Sequence, residues 1–159
     1  MGQPLVDLQT LDLSRHVVSD AMLRELLPHA HEFQMLDGIC HYDAEKGIAV
    51  GYKEFGADPW WARGHVPGRP IMPGVLMIEG AAQIATFLVK QKSDWAKHRM
   101  IGLAGLDDVR IRGQVVPPAK VYFVSGNCNV SGRRLAKMAA QVFANGQMIM
   151  EMTVMGVML

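Results

Sequence analysis

Apolar and polar positions along this chain change period several times, and each change marks an element. Met22, Leu23, Leu26 and Leu27 recur at helical spacing after Ser19 and Asp20, either of which can cap, and before Pro28, which stops the run. The spacing predicts a short helix over 21–27, with residues 1–18 as an arm ahead of it. Gln34 to Tyr42 and Gly47 to Phe55 read as two strands joined by the charged, glycine-ended turn Asp43-Ala44-Glu45-Lys46-Gly47. Gly56 to Met72 carries Pro59, Gly64, Pro67, Gly68 and Pro70, too many breakers for a regular element. It predicts a crossing loop, and long loops inside compact domains are usually functional.

From Pro73, well placed at a first helical turn, Gly74 to Gln91 runs apolar on nearly every side and predicts a buried helix. A polar link, Lys92 to Arg99, separates it from the strand-rich runs Met100 to Val109, Val115 to Asn129 and Leu135 to Leu159. These are broken at Pro117-Pro118, Ser131-Gly132 and Asn145-Gly146, the last a strong hairpin signal. One sheet wrapped around one long helix satisfies this order of elements, which contains no internal repeat.

Composition narrows the class. The 159 residues, half of them apolar, suit one domain with a real core. Sixteen basic against fifteen acidic residues leave a net charge of +1, so no global field favours nucleic acid or an anionic membrane. Cys40 and Cys128 lie far apart without a C-x-x-C spacing, which suits a reducing cytoplasm. Met1 to Thr10 has no long apolar run and carries Asp7, unlike a secretory signal, and position 6 lacks the hydroxyl that myristoylation of Gly2 would want. Ile71 to Val89 approaches membrane-spanning length but holds Pro73, Glu79 and Gln83, so it reads as a buried soluble helix.

Chemistry concentrates in Gly64-His65-Val66-Pro67-Gly68-Arg69-Pro70-Ile71-Met72-Pro73-Gly74-Val75-Leu76-Met77-Ile78-Glu79-Gly80-Ala81-Ala82-Gln83. Two groups able to move protons flank a stiff Pro/Gly segment. His65, with an ordinary pKa of about 6.5, suits a general base. Glu79, two turns into an apolar helix, is expected to be desolvated, protonated and able to act as an acid. The free amides at the helix start around Gly74 favour a developing negative charge. Base, acid and N–H donors together suit elimination of water from a 3-hydroxyacyl thioester, which needs no metal or redox cofactor.

These residues resemble the 3-hydroxyacyl-acyl-carrier-protein dehydratases of the FabZ type. The family pattern G-H-F-P-G-x-P-x-x-P-G-V-L-x-x-E-x-x-A-Q is matched at every fixed position but one, with His and Glu fourteen residues apart. The likeness extends to Leu27-Pro28-His29, Asp37 and Val115-Val116-Pro117, covering roughly residues 20–158. It implies an α+β hot-dog fold, an antiparallel sheet wrapped around a long central helix, working as a homodimer and in some members as a trimer of dimers. Each site would take the His of one subunit and the Glu of the other, with substrate delivered by acyl carrier protein in fatty acid biosynthesis. Carried onto this chain, His65 and Glu79 become the catalytic pair. The amides of Val66 and Gly74 become the thioester-oxygen site, and His31, Phe33 and Gln83 join the substrate-binding set. Glu rather than Asp at 79 resembles the branch that only dehydrates. Val66 stands where the family has Phe, Ala30-His31-Glu32 where Arg-Tyr-Pro is common, and Pro118-Ala119 where Gly-Asp is usual.

His29, His31 and His41 lack the carboxylates or thiols of a metal centre. Arg133, Arg134 and Lys137 form a small basic cluster, a solvated turn or a docking patch for an acidic carrier protein. The twelve methionines suit gap-filling, and Trp60 and Trp61 suit packing against a partner subunit ahead of the alternative, lining the mouth of an acyl tunnel. Two rival functions stay open: a hot-dog thioesterase using an acidic residue on the central helix, and a catalytically silent acyl-thioester-binding subunit.

Overall fold

The computed structural model describes residues 2–92, 94–132 and 134–159. Six strands form one antiparallel sheet: β1 (Gly38–Asp43), β2 (Ile48–Phe55), β3 (Ile101–Ile111), β4 (Ala119–Ser131), β5 (Leu135–Ala144) and β6 (Gln147–Met158), in the spatial order β1-β2-β4-β5-β6-β3. Among the described residues four α-helices accompany it: α1 (Asp20–Leu26), α2 (Ala62–His65), α3 (Gly74–Lys92) and α4 (Asp94–Lys97). The sheet curls around α3, as the order of elements predicts. Among the described residues, no helix is long and apolar enough to cross a membrane.

Alternation of side chains along the strands explains how the sheet is covered on both faces. Val121 and Phe123 of β4, and Ala136, Met138, Ala140 and Val142 of β5, join Leu76, Met77, Ala81, Ile84 and Phe87 of α3 in the main core. Val124, Phe143, Val50 and Tyr52 point the other way, where Leu5, Val6, Leu8, Leu11 and Leu13 of the N-terminal arm cover them. The arm is tied down through its backbone. The Leu5 amide donates to Gln141 Oε1 at 2.8 Å, and Gln141 Nε2 donates to the Gln3 carbonyl at 3.0 Å. Further along, the Val17 amide donates to the Ile39 carbonyl at 2.9 Å, so the chain entering α1 covers the edge at β1.

Close packing of helix on sheet depends on Gly80. A Cβ at this position of α3 would be driven into the Phe123 ring. Methionines fill the remaining gaps as expected, with Met35, Met72, Met77, Met138 and Met150 all buried.

Several predicted boundaries move, each for a hydrogen-bonding reason. The first strand starts at Gly38 rather than Gln34, because the Met35 amide is taken by the Gln83 side chain instead of a neighbouring strand. The crossing loop contains one helical turn, α2, and the polar link after α3 contains α4. The fourth strand begins at Ala119, since Pro117 and Pro118 bring no N–H to a ladder and the Val115 carbonyl accepts from Met72 instead. Asn145 (φ 51°) and Gly146 (φ 73°) make the expected hairpin between β5 and β6. Met22, predicted on the apolar side of α1, is exposed, whereas Leu23 and Leu27 are buried and Ser19 is the cap.

Candidate active site

His65 ends α2, the single helical turn in the crossing loop, and its side chain is exposed. Its Nδ1 lies 2.8 Å from the Ile71 carbonyl. A carbonyl can only accept, so in the neutral ring Nδ1 carries the hydrogen and Nε2 is the bare, basic nitrogen. The segment between His65 and α3 is held by backbone hydrogen bonds, two within it and one to Val115. Arg69 N–H donates to the Val66 carbonyl (3.0 Å), Ile71 N–H to Arg69 (2.8 Å) and Met72 N–H to Val115 (2.8 Å), while Gly68 supplies a left-handed turn at φ 80°.

Val66 and Gly74 stand at opposite ends of that segment. Gly74 opens α3, and among the described residues its amide has no backbone acceptor. A Cβ there would crowd the Ile111 side chain, so the glycine lets the end of β3 approach the helix start.

Glu79 is not sunk in the core, contrary to the expectation of a desolvated carboxyl. It is half-buried on the side of α3 that looks toward β3 and β6, where Ala82, Gln83 and Thr86 follow it at helical spacing. These four residues line a small cleft of about 70 Å³ with His29, Ile101, Leu103 and Met138. Glu79 Oε1 accepts a hydrogen bond from Gln83 Nε2 at 2.7 Å and lies 3.3 Å from His29 Nε2. Gln83 is buried and fully engaged. Its Oε1 accepts from the Met35 amide at 3.0 Å, and its Nε2 also donates to the Phe33 carbonyl at 2.7 Å.

One chain does not bring the two proton-moving residues into one cleft. His65 lines a second, apolar cleft of about 280 Å³ with Trp60, Trp61, Arg63, Pro73, Val75 and Leu76, and Glu79 is not part of it. Gln83 and Glu79 do come together in the other cleft. Phe33 meets them only through its carbonyl, since its side chain is exposed, and His31 sits exposed at φ 54° on the same one-turn 3-10 helix, His31–Phe33.

His29 is the residue that sequence reasoning missed at this site. Its signal was the Leu27-Pro28-His29 stretch, which carries part of the family resemblance, but as a site residue His29 is weighed there only as a metal ligand. Among the described residues, no three His, Cys, Asp or Glu side chains gather as a metal site. Two other expectations are corrected. Trp61 packs inside its own chain, edge-on to Phe55, although Trp60 stays exposed. Lys137, on β5, is engaged at 3.1 Å by Asp107, which lies two strands away on β3 with β6 between them, and this weakens the basic cluster; Arg133 lies outside the described residues.

Comparison with known proteins gives a match to the FabA-like domain over residues 27–153. Among solved structures, the dehydratase heterocomplex ApeI:P from Xenorhabdus doucetiae aligns with a TM-score of 0.67 at 12% identity, over 86% of this chain and 90% of that one. A hypothetical thioesterase with coenzyme A from Streptococcus pneumoniae aligns at 0.53 and 10% identity, over 70% and 81%. The E. coli PaaI protein of the phenylacetic acid degradation operon aligns at 0.57 and 8% identity, over 76% and 78%. At these identities the structural likenesses speak for the fold.

Proposed function

This chain belongs to the FabA-like domain family, and from that premise we propose that it is a FabZ-type dehydratase, removing water from 3-hydroxyacyl thioesters on acyl carrier protein. The observation that carries the reading is His65 with its Nδ1 hydrogen committed to Ile71, which leaves Nε2 free to take a proton, fourteen residues before a carboxyl on α3. His65 Nε2 removes the proton beside the thioester carbonyl. The amides of Val66 and Gly74 hold the enolate-like oxygen, and one such donor is typically worth about 2.7–4 kcal/mol. Glu79 protonates the departing hydroxyl, so that water and a trans-2-enoyl thioester leave. Proton transfer back from His65 to Glu79 through solvent resets the pair.

The separation of His65 and Glu79 into two clefts of one chain supports a site built from two copies, each lending one member of the pair. The free edge supports a homodimer as well. Among the described residues of this single chain β3 pairs only with β6, and it exposes Leu103, Val109 and Ile111, an apolar edge of the kind that usually finds a partner. In this reading residues 1–159 form one domain with an N-terminal arm, working in the cytoplasm on fatty acid biosynthesis, as a dimer or a trimer of dimers.

The test is the ultraviolet signal of enoyl-thioester formation from 3-hydroxybutyryl and longer acyl carrier protein substrates. Wild type should give the signal, and His65→Ala and Glu79→Gln should each lower the rate by about 100- to 10,000-fold. Release of free thiol without an enoyl product would transfer the protein to the thioesterases. No turnover of either kind by the folded protein would leave an acyl-thioester-binding subunit.

A further inference from the structure

Gln83 cannot turn its amide around. Its oxygen is needed by the Met35 N–H and its nitrogen by the Phe33 carbonyl, both backbone groups with one role each. The hydrogen bond that Gln83 makes to Glu79 Oε1 is therefore a donation, whatever the protonation state of the carboxyl. His29 Nε2 lies 3.3 Å from the same oxygen, within ion-pair distance. Its Nδ1 is buried and has no hydrogen-bond partner among the described residues. Buried N–H groups without an acceptor are rarer in proteins than under-used acceptors, so the hydrogen of the neutral ring belongs on Nε2 and Nδ1 stays bare.

From this we infer that His29 is a positioning residue for Glu79: with Gln83 it supplies two donors to Oε1, so that Oε2 is the oxygen that holds and delivers the acid proton. A proton on Oε1 would confront two hydrogens and find no acceptor. The two donors arrive from different elements, Gln83 from the next turn of α3 and His29 from the segment following α1, and together they fix the plane of the carboxyl. The other polar groups in the cleft wall are the Thr86 hydroxyl and backbone, so no second ionised side chain competes for Glu79 among the described lining residues. The inference rests on the dehydratase reading for its catalytic consequence but not for its geometry.

Two experiments separate these. The nitrogen-15 spectrum of the neutral His29 ring should show a protonated Nε2 and a bare Nδ1, with the pattern altered in Gln83→Leu. The opposite tautomer in wild type overturns the inference even if the enzyme is fully active. In enoyl-forming assays, His29→Phe should lower kcat by about 10- to 100-fold, the scale of a misplaced catalytic group, with KM within about twofold. Gln at 29 reaches the Nε2 position with a donor and should restore kcat to within about threefold of wild type. Asn, whose amide reaches only the Nδ1 position, should not. Equal kcat for wild type and His29→Phe, or equal losses for Gln and Asn at matched thermal stability, overturns the positioning role. Wild type without enoyl product in any assay overturns the dehydratase reading, and the nitrogen-15 result then decides the geometry alone.

Discussion

Single atoms decide two outcomes at the residue scale. Gly80→Ala puts a methyl where the Phe123 ring lies, and overpacking of this kind costs about 1–3 kcal/mol. Thermal unfolding should fall by several degrees, at about 2–4 °C per kcal/mol for a chain of this size. An unchanged midpoint would mean that α3 and β4 slide apart freely. Burial pushes the Cys40 thiol up from 9.0 to about 11. A thiol whose folded value is raised holds its proton longer than the unfolded chain does, so its contribution to stability is intact below pH 9 and is lost as pH climbs toward 11. Urea midpoints should therefore drop more steeply over that window in wild type than in Cys40→Ala, and parallel curves would exclude the thiol as the cause. The same scale shows what was legible in the site. His65 and Glu79 stood out because a stiff segment of fixed length joins them. His29 did not, because nothing local in Leu27-Pro28-His29 shows that its ring meets a carboxyl 50 residues later.

Elements were legible wherever the signal was local. The apolar run from Gly74 and the Asn145-Gly146 turn each fix their own structure through short-range stereochemistry, and both stand where the sequence puts them. Boundaries that depend on distant partners were not. Met35 and Leu36 look like strand residues because both are buried, but the Met35 amide bonds to α3, so its burial reflects the core rather than a ladder. Strand β3 carries a prediction of its own. Its register slips at Leu103/Gly105 and again at Asp107/Arg110, yet it still presents Leu103 outward. If two copies meet at this edge, as proposed for the active dimer, Leu103→Lys places a charge in the seam and should shift sedimentation from dimer toward monomer. A variant that sediments as wild type would move the seam elsewhere. Assembly is the readout here because Leu103 also lines the Glu79 cleft.

At the scale of the whole molecule, the sheet is sandwiched between a helix and an arm. Nothing in the pattern of residues 1–18 announces that second layer; Leu5, Leu8, Leu11 and Leu13 look like scattered apolar residues until Val50, Val124 and Phe143 face them. Deleting residues 2–13 should uncover that face, lower the thermal midpoint, raise the fluorescence of a hydrophobic dye and promote self-association visible by light scattering. A truncated chain that stays monodisperse and dye-silent would show the arm to be ornamental to the fold.

Gln141 holds this arm by peptide groups alone, the carbonyl of Gln3 and the amide of Leu5, and never by their side chains. The constraint on the strap is therefore written at a position more than 130 residues away from it. In a library randomised at Gln3, nearly any residue should pass, whereas Leu5 should admit only apolar replacements and Gln141 almost none, so the arm can drift in sequence while keeping its path.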